Sequence, residues 1–471
     1  MYLRGNAPEQ AMDRFATISP LDYRYCASQR IHGKVKNHLT EQAFLRFQAQ
    51  VEAALVQGFA NRELCSQKVA DEVRSAVDMI TAEEVYQEDE KIHHVLRSLV
   101  NCLRRHVSAQ ARPFIHLGVT SFDVIDTANA LRYKEFAWTV LLQELLNLEK
   151  TLMDLASREK DTLQIGRTHG QHAVPITFGF FIASYVARLG ESILEIQHAA
   201  NNLRGKLSGA VGAYNATSLL LDDPVAFEKE VLELLGLKPA SHSTQIVPGE
   251  FIADLVHSVI EAFGVLANLA DDLRHLQRSE INEVAEVFDK DQVGSSTMPH
   301  KRNPWNFENI KSLYKQFMPR IITVYLDQIS EHQRDLTNSA SARFIPEIFA
   351  GFLSSVLRMN DCLQKLVVDK EALRRNIESS KENFVAEPLY ILLAFHGHPD
   401  AHEYVRAKTL EAAEQGKPIR ELVLEDPDIE LYLEKFTVKQ RQVLENPLAY
   451  TGVAAKKTEE VCSFWKDQLK L

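Results

Sequence analysis

The sequence predicts an all-α protein, on three observations. Glycine and proline are scarce, 19 and 16 of 471 residues, against average usages of about 7% and about 5%. Helix breakers are therefore confined to a few places. Apolar residues recur over long segments at three- and four-residue steps, as on a helix with one buried stripe. No stretch shows sustained period-two alternation between turn residues, so strands are not expected.

The segments 40–60, 124–158, 177–204, 251–277, 309–331 and 347–366 each read as long amphipathic helices. The clearest is 251–277, where Leu255, Val256, Val259, Phe263, Leu266 and Leu273 share a face, with no proline and Gly264 as the lone glycine. A stripe this broad needs partner helices, from the same chain or from other subunits. Breakers cluster at 112–120 and at 368–370. They divide the chain into an N-terminal helical domain (1–118), a central long-helix bundle (119–368) and a small C-terminal helical domain (369–471). The last part is richer in charge and in short elements, among them Pro418 and Glu425-Asp426-Pro427-Asp428.

Composition narrows the class of function. Hydrophobic residues make up 45% and charged residues 25%, an ordinary globular profile. The net charge of -11 argues against a general nucleic-acid or membrane-surface binder, since both need a basic excess. An anionic small molecule needs only local positive charge. Cys26, Cys65, Cys102, Cys362 and Cys462 are odd in number and form no C-x-x-C pair, which fits a reducing compartment. Met1 to Pro20 lacks a leader pattern, and no apolar run approaches the ~20 residues of a membrane span. A cytoplasmic protein is expected.

Four segments carry candidate chemistry. In 294–304, Gly294, Pro299 and Pro304 forbid a continuous helix, so this is a loop between a helix ending near Val287 and one starting near Asn306. Ser295, Ser296, His300, Lys301, Arg302 and Asn303 crowd into it. Backbone N–H groups and cationic side chains there would cradle an anion; the plain alternative is a solvated connection. The segment Gly166-Arg167-Thr168-His169-Gly170-Gln171-His172 reads as a connection between helices, where His169 is either a surface residue or an acid/base group with an ordinary pKa of ~6.5. Thr120 and Ser121 precede a long helix with Asp123 in its first turn, a capping arrangement whose free N–H groups also suit a carboxylate or phosphate. Arg334 and Arg343 flank a run of hydroxyls that includes Ser339, and arginine suits bidentate binding of such anions.

The string Gly294-Ser295-Ser296-Thr297-Met298-Pro299-His300-Lys301-Arg302-Asn303-Pro304 resembles the signature of the fumarase/aspartase/argininosuccinate lyase superfamily. Within it, Arg167 to Gln171, Thr120-Ser121 with Asp123, Gly209-Ala210-Val211-Gly212 with Tyr214-Asn215, Ile18 to Tyr25 and the Arg334–Arg343 segment resemble the adenylosuccinate lyase family. The resemblance runs from about residue 15 to about residue 455. It implies a three-domain, fumarase/aspartase-like helical fold, a homotetramer with active sites shared between subunits, and no metal or organic cofactor.

The implied reaction is a β-elimination in purine biosynthesis. Fumarate leaves adenylosuccinate to give AMP, and leaves the succinylaminoimidazole-carboxamide ribotide to give the aminoimidazole-carboxamide ribotide. A weakly acidic proton is removed next to a carboxylate, so the carbanion must be stabilised as an aci-carboxylate. By resemblance, Ser295 is the general base, Lys301 and Asn303 hold the developing charge, and His169 with its partner Glu308 protonates the departing nitrogen. Thr120, Ser121, Thr168, His93 and Gln245 match substrate-binding positions. Arg24, Tyr25, Arg334, Ser339 and Arg343 match residues around the nucleotide phosphate. The chain departs from the family at His93-His94, where His-Asp is usual. Argininosuccinate lyase usually carries Gln before and Lys after the loop lysine, in place of His300 and Arg302. The carboxymuconate cycloisomerase branch typically lacks the Thr168-His169 pair. A crystallin-like structural oligomer would keep the fold without the chemistry.

Overall fold

The computed structural model describes residues 14–288 and 294–471. Residues 1–13, part of the N-terminal stretch read above for a leader pattern, lie outside them. Helices begin where the sequence supplies a cap. Thr40 Oγ1 accepts the Ala43 N–H at the head of Glu41–Asn61, Asp223 accepts the Ala226 N–H at Pro224–Leu234, and Asp369 accepts the Ala372 N–H at Lys370–Glu378. Each cap satisfies a donor that the first helical turn cannot.

The expected long helices form as Glu41–Asn61, Phe178–Asn202, Glu250–Leu276 and Ile345–Gln364. The segment 124–158 forms Ser121–Phe136, a π-helical turn at Ala137–Leu141 and Leu142–Arg158. Three expectations are corrected. The 309–331 helix is split into Trp305–Phe317 and Arg320–Leu326 around Pro319, which has no N–H to continue the ladder. The helix expected to reach Val287 stops at Leu276. After it the chain turns through Asn282 (φ 54°) into the short strand Val284–Ala285, antiparallel to Val367–Val368. Finally, 163–177 is a β-hairpin rather than an irregular connection: Leu163–Thr168 (β1) pairs antiparallel with Gln171–Thr177 (β2).

The contacts divide the chain into two compact units. The first comprises 1–145, 191–266 and 310–358; the second comprises 146–190, 267–309 and 359–471. In the first, Phe47, Leu55, Phe59, Leu99, Phe227 and Val231 belong to one buried apolar cluster. The Phe59 and Phe227 rings stack with centroids 5.1 Å apart. Gly58 permits that approach, because a Cβ there would lie 2.5 Å from the Val231 side chain. In the second, Gly190 receives the Trp465 indole, which a Cβ would meet at 2.3 Å. Leu389, Leu393, Val405, Ile429 and Phe436 form a further cluster there. The Glu250–Leu276 helix is long and apolar enough to cross a membrane, but Leu255, Val256, Val259, Phe263 and Leu273 are buried within the chain.

One buried acid stands out from this packing. Glu149, on Leu142–Arg158, is fully buried, and among the described residues neither carboxyl oxygen has a hydrogen-bond partner. Burial pushes its carboxyl up from 4.5 to about 9. The folded state then holds a proton that the unfolded chain releases, so stability falls as pH rises from 4.5 towards 9. Replacement by an apolar residue of similar length removes that loss. Glu149→Met is expected to raise the melting temperature at pH 8, equivalent to about 1–3 kcal/mol, and the gain should shrink towards pH 5. Calorimetry across that range checks it; a variant that melts lower at pH 8 contradicts it.

Candidate active site

In the second unit the hairpin sets the position of His169. Thr168 pairs with Gln171, so His169 and Gly170 alone make the turn, with φ of 53° and 72°. Two positive φ values belong to the turn whose twist matches a hairpin. Glycine adopts this freely, whereas histidine there costs roughly 1–2 kcal/mol. The imidazole is thereby held at an exposed tip. The register shifts between Ile165 and Arg167, at Gly166, where a Cβ would lie 2.8 Å from the Val174 carbonyl oxygen.

The base of the hairpin is fixed by Glu283, a fully buried carboxylate. It accepts from Arg167 Nη2 at 2.6 Å, Arg167 Nη1 at 3.1 Å, Gln164 Nε2 at 2.9 Å and Asn376 Nδ2 at 2.9 Å. A bidentate Arg–carboxylate contact with two further donors leaves the hairpin little freedom.

The 294–304 loop lies in the same unit. Ser295 Oγ accepts the N–H of Met298 at 3.1 Å and that of Thr297 at 3.4 Å. Asn303 Nδ2 donates to the Gly294 carbonyl at 3.1 Å and the Lys301 N–H to the Met298 carbonyl at 3.0 Å. A Cβ on Gly294 would sit 2.3 Å from the Lys301 carbonyl oxygen, so the fold of this loop requires glycine. The helix that follows is anchored by Glu286, which accepts the N–H groups of Asn306 and Phe307 at 3.1 Å and the Asn306 amide at 2.7 Å. Lys301, Thr168 and Glu308 are exposed. Among the described residues, the side chains of His169 and Glu308 bond neither to each other nor to Ser295.

The first unit gathers a second set. The loop before Thr120 is held at its start by Glu52, fully buried, which receives the His116 N–H at 2.8 Å and lies 2.7 Å from His116 Nδ1. At its end the Thr120 N–H donates to Asp123 Oδ2 at 2.7 Å, giving Ser121–Phe136 a capped start. Asp126, one turn on, accepts the Val247 N–H at 2.9 Å. Burial pushes its carboxyl up to about 6, against the pull of that N–H, Lys206 and Arg334. The Gln245 N–H meets the Gln333 carbonyl at 3.4 Å, and the Arg334 guanidinium lies 3.4 Å over the Phe122 ring. Thr120, Ser121, Gln245 and Arg334 therefore converge. Arg334 Nη2 donates to Asn338 at 3.2 Å, while Nη1 is buried with no hydrogen-bond partner among the described residues.

Arg343 Nε reaches the Ser339 carbonyl at 3.3 Å, so these two lie together on an exposed stretch. Arg24 and Tyr25 stand on the turn Leu21–Tyr25, with Arg24 exposed. His93 ends Ala82–Ile92 in the left-handed conformation (φ 54°) and is exposed. The residue after it explains the departure noted in the sequence: His94 Nδ1 accepts the Arg97 N–H at 3.2 Å and caps Val95–Arg105, the task a carboxylate would otherwise perform.

A family model described as Lyase matches residues 5–318, and one described as Adenylosuccinate lyase C-terminal matches residues 330–459. The chain is 36% identical over 451 residues to an adenylosuccinate lyase of Pyrococcus abyssi, covering 92% of this chain and 98% of that one. It is 31% identical over 457 residues to an adenylosuccinate lyase of Archaeoglobus fulgidus, covering 96% and 100%. In fold it is similar to the 3-carboxy-cis,cis-muconate lactonizing enzyme of Pseudomonas putida, with a TM-score of 0.81, 21% identity and coverage of 95% and 99%. A fumarate lyase of Mesorhizobium sp. BNC1 superposes with a TM-score of 0.80 at 23% identity, covering 92% and 97%.

The His94 cap yields a direct test. His94→Ala is expected to cost about 1 kcal/mol of stability in denaturant titration, and His94→Asp to retain it. Equal stability of all three proteins contradicts the capping role.

Proposed function

The chain belongs to the adenylosuccinate lyase family, and on that premise we propose how its residues carry the fumarate-releasing C–N bond cleavage. The observation that carries the proposal is Ser295 Oγ, which already accepts two backbone N–H groups. A serine is a poor base unless its alkoxide is stabilised, and those donors supply that stabilisation before substrate arrives. Ser295 takes the proton next to the carboxylate. Lys301 stabilises the resulting aci-carboxylate. Asn303 holds the base of the loop through Gly294 and offers its remaining N–H to the same charge. The 294–299 stretch closes over substrate and excludes water.

His169 gives its proton to the departing nitrogen, with Glu308 orienting the ring and favouring its charged form. Both side chains are exposed and, among the described residues, not linked to each other, which supports a site completed by other subunits of a homotetramer. Thr120, Ser121, Thr168, His93 and Gln245 bind the succinyl end. Arg24, Tyr25, Arg334, Ser339 and Arg343 hold the nucleotide phosphate, and the unpartnered Arg334 Nη1 suits that use. The substrates are the two succinylated purine precursors, adenylosuccinate and the imidazole-carboxamide ribotide. The free cysteines fit a cytoplasmic enzyme. The division 1–118, 119–368 and 369–471 completes the reading.

Absorbance on mixing with adenylosuccinate tests the activity; turnover of argininosuccinate in its place overturns the reading. Ser295→Ala and His169→Ala are each expected to lose about 10³-fold or more in turnover, with assembly unchanged by light scattering. Mixing the two inactive variants should restore part of the activity if sites are shared. Loss of assembly in either variant marks a structural residue instead.

A further inference from the structure

We infer that Asp123, paired with Lys206, is a positioning residue for the dicarboxylate end of the substrate; this rests on the functional reading above. Both side chains are fully buried and in contact. Asp123 Oδ1 also accepts the Ser208 N–H at 3.1 Å and the Gly209 N–H at 3.2 Å, while Oδ2 accepts the Thr120 N–H at 2.7 Å. Lys206 Nζ donates in turn to the Gly209 carbonyl at 3.2 Å, and Thr127 Oγ1 exchanges hydrogen bonds with the Lys206 backbone at 3.0 Å. One carboxylate therefore joins the helix start at Thr120-Ser121 to the turn at 208–209.

A capping carboxylate on a surface helix needs no buried lysine. A buried ion pair contributes little net stability compared with apolar side chains of the same volume. What it supplies is geometry: two oxygens satisfied by several donors can sit in one orientation only. That orientation fixes the Thr120 backbone and leaves the following N–H groups of the helix start to face an anion. Of the residues assigned to the nucleotide phosphate, Arg24, Tyr25, Ser339 and Arg343 lie on other segments and Arg334 touches this helix start, over the Phe122 ring, so Asp123 acts chiefly on the dicarboxylate end through Thr120-Ser121.

The test separates positioning from folding. Asp123→Asn leaves Lys206 unpaired and lowers the melting temperature. The double variant Asp123→Asn/Lys206→Met removes the uncompensated charge and is expected to recover the melting temperature and assembly. In that double variant the inhibition constant for fumarate and the KM for adenylosuccinate should still be raised about tenfold or more, with inhibition by AMP changed less than about threefold. Recovery of KM together with stability overturns the inference, as does failure of the double variant to assemble, because the pair then serves the fold alone. Equal weakening of fumarate and AMP overturns it too. Failure of the functional reading is recognised separately, by absence of adenylosuccinate turnover in the unmodified enzyme.

Discussion

The contact between Asp123 and Lys206 is the constraint on which the first unit's site depends. Two opposite charges with no exposure are costly to desolvate, and such a pair persists only with close geometry and further hydrogen bonds to its members. Here the backbone satisfies both Asp123 oxygens, through the N–H groups of Thr120, Ser208 and Gly209, and the Gly209 carbonyl accepts from Lys206. Asp126 extends the same logic by one helical turn and holds Val247, so a single helix start ties the 208–209 turn and the 245–247 segment to Thr120-Ser121. Arg334, stacked on Phe122 between Ser121 and Asp123, joins the same place.

The second unit repeats the pattern with other acids. Glu283 braces the hairpin behind His169, and Glu286 braces the helix behind the Ser295 loop. In both units buried carboxylates satisfy backbone or arginine donors, while the groups assigned to chemistry, His169, Lys301 and Glu308, stand exposed. Rigid support behind exposed groups fixes the direction in which each is presented.

Much of this was legible in the sequence. The long helices announce themselves by apolar residues at helical spacing, and the ends of Glu41–Asn61, Phe178–Asn202 and Glu250–Leu276 fall within a few residues of the expected ones. The hairpin was not legible, because Gly166, Gly170 and Pro175 interrupt any period-two alternation and the bulge at Gly166 shifts the register. Pro319 split a helix that apolar spacing alone had joined. At the candidate site, the glycine and prolines that bound the 294–304 loop marked Ser295, Lys301 and Asn303 as candidates. Glu52, Glu283 and Glu286 stayed silent as braces, because an acid that accepts buried backbone N–H groups reads in sequence like an acid on a solvated face; Asp123 was legible as a capping acid, and its pairing with Lys206 was not. His94 was visible as a departure, but its meaning needed the helix it caps.

The most direct measurement is a crystal structure of the Ser295→Ala protein with adenylosuccinate bound. The succinyl group is expected against the 294–304 loop and the Thr120-Ser121 helix start. There the carbon that loses its proton should face residue 295, and the departing nitrogen should lie within about 3 Å of a His169 imidazole. A succinyl group bound away from that loop, or a departing nitrogen with no His169 in reach, contradicts the assignment.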